Sequence, residues 1–291
     1  MSSQENAATP VHAQQQAGAI RALLVHVEPG AESRARLLAA SGLAARLDAT
    51  LIGVGCEMIQ TAGVTDPFGV LGAEWVVELQ KLVVDDLARA EAIFRAETAG
   101  LKTEWLSLRT YPGPAVARLA RGADLVIAGG VPPSFTDDIR VAQTAGLIVQ
   151  CGRPVLVVPS EGGQLRGEGV VIAWKDTREA RRAVADALPF LKAAREVLVL
   201  AVCAKDAVAN VETQTASVVD YLARHNVVAR ARVTVGSPDD AVQELTASAR
   251  LIDADLIVAG GYGHSRMGEW VFGGVTRSLL RQPSHFVLLS H

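Results

Sequence analysis

The sequence predicts an α/β protein made of two tandem, doubly wound domains, each holding a five-stranded parallel sheet. Three observations carry this reading. Short β-rich runs alternate with longer Ala-, Leu- and Arg-rich stretches of helical period, the pattern of βαβ units. That pattern is written twice, since ADLVIAGG at 123–130 returns as ADLIVAGG at 254–261. Strands such as ADLIVAG show no period-two alternation, so both of their faces are expected to be covered by helices.

The 291 residues suit two domains, each with its own core. Residues 1–18 are polar, with little to bury, and read as a disordered tail. The N-terminal domain is expected over 19–160, a linker over 161–169 within SEGGQLRGEG, and the C-terminal domain over 170–291. The predicted strands of the first copy are IRALLVHV, ATLIGVG, EWLSL, ADLVIAG and PVLVVP. Those of the second are GVVIAW, EVLVLAV, VVARARVTV, ADLIVAG and HFVLLS.

PVLVVP and HFVLLS stand at the same spacing from the repeated ADL segments, while LIGVGC ending at Cys56 aligns with LVLAVC ending at Cys203. That match leaves extra residues in the first copy, expected in EMIQTAGVTDPFGVLG because its Gly, Pro and Asp read as loop. Thr177 is the expected cap of REARRAVADALPFLKAA. Ser237 is the expected cap of PDDAVQELTASARLI, with Pro238 at the first helical position.

Composition narrows the function. A hydrophobic share of 49% with 20% charged residues describes a soluble globule. A net charge of −3 and 4% aromatics argue against a nucleic-acid partner, which would require many phosphate contacts or stacking platforms. The N-terminal residues carry no basic start or apolar stretch, and the apolar runs are strand-sized, so neither a membrane partner nor export is expected and the predicted location is the cytoplasm. Cys56, Cys151 and Cys203 are expected as reduced thiols. Neither metal-ligand spacing nor a Ser–His–Asp arrangement is present, so no catalytic residue is assigned.

Ligands of open parallel sheets collect at the carboxyl ends of the strands, where the second copy carries GGYGHSRMGEWVFGGVTRSLL. Gly260, Gly263, Gly273 and Gly274 would let backbone N–H groups approach an anion in front of a helix N-terminus. On the residues alone, a phosphate cradle and a tight turn stay equally open.

The G-x2-G-x9-G spacing after a strand ending D-L-I-V-x-G resembles the nucleotide loop of the universal stress proteins, and the repeated unit resembles their Rossmann-like domain. The resemblance covers everything after the tail. It implies two domains joined as an intramolecular pseudo-dimer through their last strands, with a homodimer of chains open through the segment near Phe68. It implies ATP, with or without Mg2+, as ligand, and protein partners it does not name.

Carried over by residue, Gly260, Gly263 and Gly273 approach the triphosphate and ribose, and Val275 follows them into the helix. Gly274 stands where the family has Ser or Thr, so Ser265 or Thr276 would have to supply the hydroxyl. Lys175 stands where ATP-binding members carry Asp, and is expected to point to solvent. The Val202 backbone corresponds to the adenine contact. Ala173 and Trp174 lie at the adenine pocket, with a core position the alternative for Trp174. His264 and Arg266 would reach phosphate oxygens or sit at a solvated tip. Trp270 and Phe272 are expected to be packing anchors.

The first copy keeps only Gly129, with Pro132, Ala142 and Gln143 opposite Gly263, Gly273 and Gly274. It is expected to bind no nucleotide. The resulting expectation is a stress-response protein holding one adenine nucleotide in its C-terminal domain. A non-nucleotide interaction scaffold and a slow ATP hydrolase are the alternatives.

Overall fold

The computed structural model describes residues 20–30, 32–58, 73–130, 144–237, 240–262, 274–281 and 283–291. All ten predicted strands form. In the first half they are β1 (Ala22–His26), β2 (Thr50–Cys56), β3 (Thr103–Leu108), β4 (Leu125–Gly129) and β5 (Val155–Val158). In the second they are β6 (Gly169–Ala173), β7 (Glu196–Cys203), β8 (Ala229–Val235), β9 (Leu256–Gly260) and β10 (Phe286–Ser290). Between them run α1 (Glu32–Leu47), α2 (Ala73–Glu97), α3 (Pro112–Leu119), α4 (Thr144–Gln150), α5 (Arg178–Asp186), α6 (Leu188–Leu191), α7 (Val208–Arg224), α8 (Ala241–Leu251) and α9 (Gly274–Arg281).

The strands make one sheet in the order β3-β2-β1-β4-β5-β10-β9-β6-β7-β8. Each half is parallel within itself. The halves join where β5 and β10 run antiparallel, with Leu156 level with Leu288 and Val157 level with Val287. The continuous apolar character of β4, β5, β9 and β10 follows from this position, because the central strands are covered on both faces.

Helices α1, α2, α5 and α7 cover one face through residues such as Leu37, Phe94, Val184 and Leu222. Helices α3, α4, α8 and α9 cover the other through Val116, Ile148, Leu245 and Leu279. The expectation of two separate cores is corrected: the apolar cluster on the first face runs unbroken from Leu23 in β1 to Val199 in β7, since the joined sheet gives both halves one surface. The segment between the halves is also held, with Leu165 buried and its carbonyl accepting from Arg46 of α1.

Three local expectations shift. Thr177 caps α5, its hydroxyl accepting from Ala180 N–H at 3.2 Å, but the predicted long helix breaks at Ala187 because Pro189 has no N–H to continue the ladder. Ser237 does not open α8. Its N–H and hydroxyl both donate to the Asp240 carboxylate at 2.8 Å, and the helix begins at Ala241. The match of Cys56 to Cys203 is off by one residue. Val27 N–H donates to Val54 O while its counterpart Trp174 N–H donates to Leu200 O, which sets Cys56 level with Val202. Part of the extra length of the first copy is helix, α2 having 25 residues against 17 in α7. Residues 1–19 and 59–72, including the expected tail and Phe68, lie outside the described residues.

Candidate nucleotide site

At the carboxyl edge of the C-terminal half the β6–β7 ladder stops early. Ala173 is level with Leu200, and the last bond runs from Trp174 N–H to Leu200 O. Cys203 O accepts from Gly236 N–H on the β8 side. Alternate residues of a strand address opposite neighbours, so Val202 turns its N–H and C=O toward the space beyond the end of β6. Lys175 continues into the turn toward α5 and is exposed, as expected for a side chain pointing to solvent.

Gly260 ends β9 against the start of α5. A Cβ there would lie 2.6 Å from Ala180 N, so only glycine lets strand and helix meet this closely. Beyond it, Gly261 N–H donates to Ser290 O at 2.8 Å. The Gly261 carbonyl accepts from His291 Nδ1 at 3.0 Å, and Arg178 donates to His291 Nε2 at 3.2 Å. A carbonyl only accepts and a guanidinium only donates, so these contacts select the neutral Nδ1–H tautomer.

Gly274 opens α9 and is exposed, with open space where a side chain would stand. Thr276 is buried, and Val275 packs on the same apolar clusters as Ala173. Gly263, His264, Ser265, Arg266, Trp270, Phe272 and Gly273 lie outside the described residues, as do Pro132, Ala142 and Gln143.

The structure divides the expected adenine-pocket residues between the two faces of the sheet. Ala173 packs on the α8–α9 side, and Val202 has the same parity in β7 as Leu198 and Leu200, which pack under α8. Trp174 faces the α5–α7 layer and belongs to the core cluster there. Successive residues of an extended chain point to opposite faces, so Trp174 does not share the side on which Ala173 packs. The core alternative describes it.

At the equivalent edge of the N-terminal half the side chains form a buried ionic cluster, which sequence reasoning missed. Glu28 accepts from Ser33 and Arg36, and its Oε1 lies 3.3 Å from His26 Nδ1. Arg36 Nη1 lies 3.1 Å from the point where a side chain on Gly129 would begin. Burial pushes the Glu28 carboxyl up, but Arg36, His26 and Ser33 outweigh it and hold the group well below the usual carboxylate range.

Across the crevice, Thr144 at the start of α4 donates its hydroxyl to Gly129 O at 2.7 Å. The matching burial of α1 and α5 supplies the counterparts in the C-terminal half. His26, Ser33 and Arg36 become Ala173, Ala180 and Ala183; Glu28 becomes Lys175, and Thr144 becomes Val275. The signal in the sequence was this replacement of three polar side chains by alanines, visible once the first strands are set level.

A universal stress protein from Archaeoglobus fulgidus superposes with a TM-score of 0.65 at 15% identity, over 92% of this chain and 95% of that one. The chain has the universal stress protein fold, written twice in tandem. A Pseudomonas aeruginosa protein of unknown function is similar over 94% of this chain and 93% of its own, at 18% identity and a TM-score of 0.55. No protein-family model and no curated protein matches the sequence. The antiparallel joint between β5 and β10 leaves each half its own carboxyl edge.

Proposed function

We propose that the chain is a tandem universal stress protein that binds one adenine nucleotide, ATP with Mg2+, in its C-terminal half and acts through nucleotide-dependent contacts with protein partners. The observation that carries this reading is the backbone of Val202, whose N–H and C=O face past the end of β6. A base edge needs paired donors and acceptors, and a backbone N–H and C=O side by side offer both. Ala180 and Ala183 support it by leaving small side chains where the other half has Ser33 and Arg36. Gly274 opens α9, where helix polarity favours phosphate.

A cytoplasmic location belongs to the same reading. No helix among the described residues is long and apolar enough to cross a membrane.

A second reading, a nucleotide-free interaction scaffold, is favoured by exposed Lys175 and by Gly274, which brings no hydroxyl to the phosphates. Calorimetric titration of the whole chain with ATP and Mg2+ separates the two. The nucleotide reading expects one site per chain and at least a tenfold loss of affinity in Gly263→Pro. Absence of saturable binding, or equal binding by that variant, supports the scaffold.

A further inference from the structure

Trp174 is only 8% exposed, and its indole N–H has no hydrogen-bond partner among the described residues. A buried donor without an acceptor costs free energy that a bound acceptor would recover. The same residue lines a cavity of about 450 Å³ between α5 and α7. That volume falls within the roughly 300–1,000 Å³ of small-molecule sites. Trp174, Val184, Val218 and Tyr221 give it apolar walls, two of them planar rings suited to stacking. Gln214 and Ser217 supply polar groups from α7.

The charged pair at the cavity cancels itself, Arg181 donating to Asp176 at 3.2 Å, so the site makes no demand for net charge on its occupant. The cavity lies in the α5–α7 layer, whereas Ala173 and Val275 pack on the opposite face of the sheet. It therefore stands apart from the nucleotide crevice.

We infer that this cavity is a second ligand site, taking an uncharged heteroaromatic molecule of one or two fused rings that places a hydrogen-bond acceptor on the Trp174 indole N–H. Its rings lie between Trp174 and Tyr221, and its polar edge meets Gln214.

The test uses the whole chain labelled with nitrogen-15 and coumarin as the neutral two-ring probe with a carbonyl acceptor. The four tryptophans give four indole N–H signals, and Trp174→Phe identifies the relevant one. The expected result is a saturable downfield shift of that signal alone, with one site per chain. Ser217→Phe, an exposed position at the cavity, should weaken binding at least tenfold while the signal itself persists. An unmoved Trp174 signal, or a shift unaffected by Ser217→Phe, overturns the inference. So does an equal shift with ATP in place of coumarin, which would make the cavity part of the nucleotide crevice.

Discussion

Thr144 donates its hydroxyl to the carbonyl of Gly129 at 2.7 Å, tying the start of α4 to the end of β4. Val275 and Gly260 hold the same places in the other half, and the valine side chain has no donor to give. With the Glu28–Arg36 pair, this bond distinguishes the two crevices independently of their glycine counts.

Transferring the filling should transfer the closure. The combined variant Ala173→His, Lys175→Glu, Ala180→Ser and Ala183→Arg carries the four side chains of the ionic cluster into the second half, where α5 lies closer to Gly260 than α1 lies to Gly129. Circular dichroism reports whether the variant folds, and in the folded variant ATP affinity in calorimetry should fall at least tenfold. Retained binding would show that the crevice does not admit the nucleotide.

Restoring the hydroxyl at the start of α9 should act in the opposite direction. The space around Gly274 is open, so Gly274→Ser fits without strain. A hydroxyl bonded to a charged phosphate is worth about 1.5 kcal/mol, which predicts roughly tenfold tighter ATP binding.

Adjacent glycines should differ in what they tolerate. In Gly260→Ala the new Cβ meets the backbone of Glu179 and Ala180, which cannot rotate away, and a loss of about 1–3 kcal/mol is expected. In Gly261→Ala it meets the Ile148 side chain at 2.6 Å. Ile148→Ala should therefore offset the second substitution and leave the first unchanged, a coupling that a double-mutant cycle in urea would report.

Acid should find the Glu28 cluster. The folded carboxyl titrates below its unfolded value of 4.5, so its stabilisation is complete above that pH and is lost as pH falls through the folded value. Glu28→Gln leaves Arg36 buried without its counter-charge and should cost about 3–5 kcal/mol at pH 7. The gap between wild type and variant should narrow progressively below pH 4.5 in urea unfolding.

The thiols should label in order of access. Burial, aided by the Glu57 carboxylate, pushes the Cys56 thiol up to about 12, and burial also raises Cys151. Only a thiolate attacks a maleimide readily. Half-buried Cys203 should react first in the native protein, with all three reacting in denaturant, as intact mass would show.

Local pattern sufficed for the ten strands, the duplication and the half whose glycines persist, because hydrophobic runs, glycines and prolines report on the backbone that carries them. The same pattern overextended α5 past Ala187 and opened α8 too early, since Pro189 and Asp240 act through hydrogen bonds of single residues. Only the tertiary structure decided that Ala173 and Trp174 serve opposite faces, that Arg36 reaches Gly129 from another element, and that one core crosses both halves. Those outcomes depend on which strands become neighbours and at what register. Contacts between residues far apart in the chain set that register, and no stretch of sequence contains it.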